Sequence, residues 1–440
     1  MNGKNGKIRA VGLDFGTTNS AIAIAGDGGE VSLARFTAAE NSNAVETFRS
    51  ILFFEQTAET GSTESVLAVG NDAIRRYLAA SGNGRLIQSL KSFLADRTFD
   101  KTEIMEVTYS LGDLIAPILI ALCTAAEEQF GDLPSRIAVG RPVHFSGASG
   151  VGDDAAARAR LDLAVRRAGW DDIVFEFEPV AAAYDYASRI AHDETVLIAD
   201  FGGGTSDFSV LQLHPRQSAA APSRGYEILG NDGVALAGDA FDGRIMHHLV
   251  APALGRGSRY RSPYGMILPA PTWPYTKLER WHHLSFLRAR PTMLRFEELR
   301  HESLEPDKIA ALIHIVDNDL GYYLFRSVEE LKLALSDLES ANFRFTDPPV
   351  AIDKAVARIE FEGWIARQLG AIEGCVDRLM AQVGIKAEKI DSVFLTGGSS
   401  FVPAVRRIFI ERFGADRIRM GNEFTSVARG LALRALEADG

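Results

Sequence analysis

Cysteine is almost missing: the 440 residues hold two, Cys123 and Cys375, each inside an apolar stretch with helical spacing. That excludes a disulfide framework and a cysteine metal centre, and it reads as two buried thiols in a reducing compartment. No apolar run approaches the length needed to cross a bilayer. The opening Met-Asn-Gly-Lys-Asn-Gly-Lys carries charge but no signal-peptide core, so the expected location is cytoplasmic. Positive charge is also short. Lys and Arg number 47 against 58 acids, a formal net charge of −11, which disfavours non-specific binding to nucleic acid or an anionic membrane. Neither is expected as a partner. Lysine is rarer still, with ten against 37 arginines, so a lysine inside a motif is less readily dismissed as filler. His247-His248 and His282-His283 have no cysteine or acid at ligand spacing, and packed or solvated histidines are expected there.

Glycine is plentiful, at 40 residues, and its distribution is informative. Val-Gly-Leu-Asp-Phe-Gly-Thr-Thr-Asn-Ser (11–20) and Leu-Ile-Ala-Asp-Phe-Gly-Gly-Gly-Thr-Ser-Asp (197–207) follow one plan: apolar run, acid, glycines, hydroxyls. Val-Phe-Leu-Thr-Gly-Gly-Ser-Ser-Phe-Val-Pro (393–403) repeats the strand and the glycines without the acid. Glycines let backbone N–H groups curl around phosphate oxygens, and the hydroxyls add donors. Asp14 and Asp200, at the ends of buried strands, are placed to hold a hydrated divalent cation against those oxygens. Two such loops facing each other would grip a polyphosphate from both sides.

A chain this long, with 46% apolar and 24% charged residues, is ordinary for a globular protein of two to four lobes. Strands are expected at Ile8–Phe15, Ala21–Ala25 and Val31–Phe36. A long helix is expected at about Gly112–Phe130, followed by strand Ile137–Val139, helix Asp154–Ala168, strand Val174–Phe177 and helix Pro179–Ile190. The pattern restarts at Val196–Phe201 and Asp207–Leu213, which suggests internal duplication, each α/β half opened by a glycine-rich hairpin. Residues 214–224 read as a loose loop. The Pro-rich stretch 251–275 reads as an ordered surface insertion with Trp273 and Tyr275 exposed. Helices are expected at Lys277–Leu287, Pro306–Leu320 and Gly321–Leu338, then short strands at Asn342–Phe345 and Ala357–Phe361. A helix at Glu362–Val383, strand Ser392–Leu395 and helices Pro403–Phe413 and Phe424–Leu436 complete the chain.

Taken together, the three loops and two matched acids resemble the actin/Hsp70/sugar-kinase ATPase superfamily, and within it the nucleotide-binding domain of Hsp70 chaperones. Asp14-Phe-Gly-Thr-Thr-Asn-Ser is similar to that family's first phosphate motif and Asp200-Phe-Gly-Gly-Gly-Thr-Ser-Asp207 to its second. Glu178-Pro-Val-Ala-Ala-Ala resembles its connecting helix, and Leu395-Thr-Gly-Gly-Ser399 its adenosine motif. The resemblance runs over residues 8–437 apart from about 251–300. It implies an actin-like α/β fold: two duplicated lobes, four subdomains, around a nucleotide cleft. Lobe I would be 1–194 and lobe II 195–425, with a helical subdomain at 238–338. The last helix, 426–440, would pack back on lobe I.

The same resemblance implies the site. Gly16, Thr17, Thr18 and Asn19 would hold the β- and γ-phosphates of ATP or ADP, with Gly202, Gly203 and Gly204 opposite. Asp14 and Asp200 would position Mg²⁺ through water, with Glu178 close to the attacking water or the metal shell. Thr205 and Asp207 would support the γ-phosphate and nucleophile, and Lys91 would stabilise charge on the transferring phosphoryl group. Gly238 and Asp239 match a turn near the phosphates. Glu329, Lys332 and Ser336, along one helix face, match the ribose and adenine contacts, and Gly397, Gly398, Ser399 and Phe401 the adenosine side. Pro142 and Arg158 match a pair that couples nucleotide state to a neighbouring domain. Leu333 and Phe401 stand where the family has two arginines about adenine, which removes a cation–π contribution.

The expected function is an Hsp70-like ATPase of low turnover that acts as an atypical chaperone or remodelling factor on an unidentified protein client or co-factor. On this reading the nucleotide-binding domain stands alone, without a peptide-binding domain; oligomeric state is left open. The alternatives are a filament-forming actin-like ATPase and, below it, a sugar kinase or polyphosphate phosphatase of the same superfamily.

Overall fold

In a computed structural model, the described residues are 8–38, 43–56, 65–80, 84–148, 150–187, 190–215, 225–280, 287–420 and 425–437. The expected loop at 214–224 falls mostly outside them, as do His282-His283, the end of the expected helix 277–287 and the start of the last helix. The chain divides into two compact units, one of Met1–Gly238, Ala371–Ser400 and Val405–Gly440, the other of Asp239–Gly370 and Phe401–Ala404.

The first unit holds two mixed sheets of one topology. In one, strands Asp172–Phe177, Arg136–Arg141, Ile8–Asp14, Asn19–Gly26 and Val31–Leu33 lie in that order. In the other, Ile418–Met420, Ser392–Thr396, Glu194–Phe201, Ser206–Leu213 and Tyr226–Val234 do. Each begins with an antiparallel hairpin whose turn is a glycine loop, Asp14↔Ala21 pairing in one and Asp200↔Asp207 in the other. The hairpin's first strand then pairs in parallel with a strand reached through helices. The duplication read from the repeated motif is thus a duplication of sheet order.

Side-chain alternation explains how the helices sit. Along Asn19–Gly26, Ile22 and Ile24 enter one core while Ala21, Ala23 and Ala25 face the other, as the two-residue period of a strand requires. The bulky face packs against helix Leu111–Phe130 through Leu114, Ile115, Ile118 and Leu122. That helix opens with a capping box between Ser110 and Asp113. The alanine face takes helices Glu178–Ala187 and Ser426–Glu437, and residues of both sheets, Val196, Ile198 and Leu211 among them, share that core. Small residues allow unusually close approach. A Cβ at Gly12 would lie 2.2 Å from the Ala432 nitrogen, and one at Gly430 would lie 1.6 Å from the Ala181 carbonyl oxygen.

Residues between Phe36 and Leu111, for which no strands were expected, form a three-stranded sheet of Ser65–Val69, Ile51–Gln56 and Gly84–Gln88, with helix Gly70–Ala79 packed on it. The second unit is largely helical. Helices Pro306–Asp317 and Gly321–Asp337 are followed by the antiparallel hairpin Ser340–Asp347 and Val350–Ala357. This corrects two expectations. Residues 358–361 are helical, and the long helix expected from Glu362 is two, Arg358–Trp364 and Ala366–Val383. Pro348-Pro349 turns the chain back, so the return strand starts at Val350 and is spent by Ala357. Tyr275, expected at the surface, is 1% exposed, and its hydroxyl donates to the Leu254 carbonyl at 3.1 Å.

Candidate functional site

The first glycine loop is a turn that only glycine fits. A Cβ at Gly16 would lie 1.9 Å from the Asn19 carbonyl oxygen. The Gly16 N–H donates to Ser20 Oγ at 3.2 Å, and that hydroxyl is 2.8 Å from Ser50 Oγ. Ser50 N–H in turn donates to the Thr18 carbonyl at 2.9 Å, and Asn19 Oδ1 accepts from Arg49 at 3.3 Å. Thr17 is buried beside them. In the second loop the Gly202 N–H closes a tight turn onto the Thr205 carbonyl at 2.9 Å, and Gly238 N–H reaches the Gly202 carbonyl at 3.5 Å. Gly203 sits within that turn. Gly204 faces Ser92 and Ser146, whose nearest atoms lie 3.6 Å from where its Cβ would be. In the third loop Gly397 has φ +82° and no room for a side chain, since a Cβ would stand 2.1 Å from the Phe201 carbonyl oxygen. Gly398 then starts a short 3₁₀ turn containing buried Ser399, and Ser400 Oγ donates to the Gly397 carbonyl at 2.7 Å.

Between the first two loops lies a buried charge cluster. Lys91 occupies a 3₁₀ turn (Leu90–Phe93) and is buried. Its Nζ donates to Glu178 Oε1 at 2.6 Å, joining residues 87 positions apart. Glu178 is the first residue of its helix, where the positive helix end favours a carboxylate. Asp207, on the strand leaving the second loop, accepts the Val143 N–H at 2.7 Å and the His144 N–H at 3.4 Å.

Four carboxylates and one ammonium therefore share this space, and their electrostatics follow from it. Burial first and then Glu178 push Asp14 up to about 7, with Lys91 opposing. Burial and Glu178 likewise push Asp207 to about 7, against Thr205, the Val143 N–H and Lys91. Asp200 rises well above its ordinary value through burial, then Glu178, Asp14 and Asp207. Burial alone would lower Lys91, but Glu178, Asp14 and Asp207 outweigh it and the ammonium is held charged. Acids outnumbering cations in a buried site is the condition a divalent cation relieves. Among the described residues no three His, Cys, Asp or Glu side chains converge to ligate a metal directly. A cation held through water by Asp14 and Asp200 fits that arrangement.

The other expected nucleotide contacts belong to the second unit. On helix Gly321–Asp337, Lys332 Nζ donates to Asp242 Oδ2 at 2.8 Å, and Ser336 Oγ donates to the Lys332 carbonyl at 3.1 Å. Glu329 and Asp239 interact electrostatically with that pair. Asp242 is buried, its Oδ1 has no partner among the described residues, and burial raises it to about 7. Burial also raises Asp239, to about 6, against Lys332. Asp242 was missed by sequence reasoning, although it lies three residues after Asp239 on the same short helix. Phe401 is partly buried and Leu333 exposed. His247 pairs with Glu279 at 2.5 Å and His248 stacks on Trp364, centroids 5.0 Å apart, so both histidines are used in packing. Arg158, the expected coupling arginine, lies over the Phe175 ring at 5.3 Å.

A family model described as Hsp70 protein matches residues 10–255 and 314–438. Two curated relatives, each described as chaperone protein DnaK, come from Thermosipho africanus (strain TCF52B) and Thermosipho melanesiensis (strain DSM 12029 / CIP 104789 / BI429). They are 25% identical over 432 and 430 residues respectively. Each match covers 98% of this chain and 59% of the relative, so the chain spans well under two thirds of their length.

Proposed function

The chain belongs to the Hsp70 family and carries its ATPase domain, and from that premise we propose that it binds ATP with Mg²⁺, hydrolyses it slowly in the cytoplasm and uses the cycle to remodel a protein client. One observation carries the reading: the buried Lys91–Glu178 pair at 2.6 Å, set among Asp14, Asp200 and Asp207 and flanked by two glycine loops.

The chemistry asked of these residues is attack of water on the γ-phosphorus. Positioning and preorganised charge supply most of the catalysis in such reactions. Bound Mg²⁺ would supply charge neutralisation between phosphate oxygens and the carboxylates of Asp14 and Asp200. Lys91, kept protonated, offers its remaining N–H bonds to oxygens that gain charge. Asp207, fixed by the Val143 N–H at 2.7 Å and hydrogen-bonded to Thr205, would orient the attacking water. At about 7, its carboxylate is basic enough to share a proton with that water near neutral pH. The turns at Gly16 and Gly202–Thr205 present loop backbone to the phosphates, and the hydroxyls of Ser92 and Ser146 line the second turn.

Titration calorimetry with Mg·ATP and Mg·ADP, paired with phosphate release, tests the proposal. Lys91→Ala is expected to retain nucleotide binding and lose about a hundredfold or more in turnover. Turnover kept in that variant would remove Lys91 from the mechanism, and no binding of either nucleotide would overturn the function itself.

A further inference from the structure

The family model passes over residues 256–313, and that stretch differs in kind from the rest of the chain. Residues 256–295 carry eight Arg or Lys against one acid, Glu279, although the whole chain has a net charge of −11. Seven of the eight are arginine. Arginine with tyrosine, tryptophan and methionine, and few acids, is the composition of a protein-binding surface.

The fold puts this composition on display. Strands Arg259–Arg261 and Ile267–Pro269 form a hairpin with Arg259↔Pro269, Tyr260↔Leu268 and Arg261↔Ile267 in register. Tyr260 and Leu268 point inward, so Arg259, Arg261, Ile267 and Pro269 share the outer face, and all four are exposed. The turn is rigidly made: Ser262 N–H donates to the Met266 carbonyl at 2.8 Å, and Leu304 N–H donates to the Arg259 carbonyl at 2.8 Å. Held in this way, Tyr264 at the tip is 89% exposed and Met266 56%. Trp273, stacked on Phe296 with centroids 5.6 Å apart, is also left 44% exposed. Arg259 and Arg261 make no ion pair among the described residues.

We propose that this outer face of the hairpin docks an acidic segment of a partner protein, one offering carboxylates to Arg259 and Arg261 and an apolar or aromatic side chain to Met266 and Ile267. Guanidinium forks match carboxylates bidentately, and a face that carries two arginines and no acid attracts an anionic partner although the chain as a whole is acidic. The apolar side chains between the arginines favour a peptide over a nucleic-acid backbone, which would leave them idle. The proposal stands apart from the ATPase reading.

The test uses the full chain and a fluorescently labelled random copolymer of glutamate and tyrosine at ~0.15 M salt, a condition that screens long-range charge. Polyglutamate, a single-stranded DNA oligonucleotide and phosphatidylserine vesicles serve as comparators. The copolymer is expected to bind more tightly than any of them. Arg259→Glu combined with Arg261→Glu should weaken it about tenfold or more, and Ile267→Ser should weaken it severalfold, with urea unfolding midpoints unchanged. Copolymer binding that survives the charge reversal would overturn the proposal. So would equal binding of polyglutamate, tighter binding of DNA or vesicles, or a self-associated chain that the reversal dissolves.

Discussion

Replacing Asp207 by asparagine is expected to stabilise the nucleotide-free protein while abolishing hydrolysis, and the gain should depend on pH in a defined way. Burial and Glu178 raise the Asp207 carboxyl from 3.8 to about 7 in the folded chain. A carboxyl with a higher folded than unfolded pKa binds more protons when folded. Its contribution to stability is then complete below about pH 4 and is lost as pH rises toward 7, at about 1.4 kcal/mol per pH unit. Ionised Asp207 therefore costs about 4 kcal/mol by pH 7. Asparagine is nearly isosteric, keeps an oxygen to accept the Val143 N–H at 2.7 Å, and cannot ionise. The stability difference between variant and wild type should grow by about 2 kcal/mol from pH 5 to pH 7 and level off above pH 8. Urea unfolding at pH 5, 6, 7 and 8 without nucleotide or magnesium measures it. A difference that is constant or shrinks with pH would show that Asp207 is ionised in the folded protein at little cost. Burial would then not be holding the Asp207 carboxyl near neutrality.

Gly430→Ala would drive a Cβ to 1.6 Å from the Ala181 carbonyl oxygen, so the last helix must move, at about 1–3 kcal/mol or more. Gly370→Ala, on an open helix surface with no atom within 4 Å, should instead gain about 0.5–1 kcal/mol; denaturant midpoints of the two variants should shift in opposite directions. The buried thiols are expected to be inert. Burial raises Cys123 to about 11, partly offset by Trp170 Nε1 at 3.3 Å, and it raises Cys375 too. A thiol reagent at pH 8 should find none in the native protein and both in urea; rapid reaction of the native chain would contradict the packing described.

Several features of the fold are legible in local sequence. Ala21-Ile22-Ala23-Ile24-Ala25 states by alternation which face is thin and which is thick, and the restart at Val196 announces a second sheet of the same order. The matched acids at strand ends, Asp14 and Asp200, fall in one buried charge cluster beside the glycine loops. What was missed shares a cause. In the strands between Ile51 and Gln88, the consecutive residues Leu52, Phe53 and Phe54 are all buried, which erases a two-residue period. The return strand at Val350 was displaced because exposed Lys354 falls on the same face as buried Val350, Ile352 and Val356, which breaks the alternation.

The chemical inventory is written in the residues themselves: which glycines can curl without a side chain, which carboxylates and which rare lysine are available, and where the Pro-rich insertion lies. These are properties of residue type and near-neighbour spacing, and they survive without knowledge of distant contacts. It is the packing of distant segments that brings Lys91 to Glu178 across 87 positions, binds Lys332 to Asp242, and buries Tyr275 while Trp273 is left half exposed. The same packing pushes the carboxylates near Lys91 toward neutrality. Burial and charge proximity are sums over everything that packs around a group, and no local stretch of sequence contains that sum.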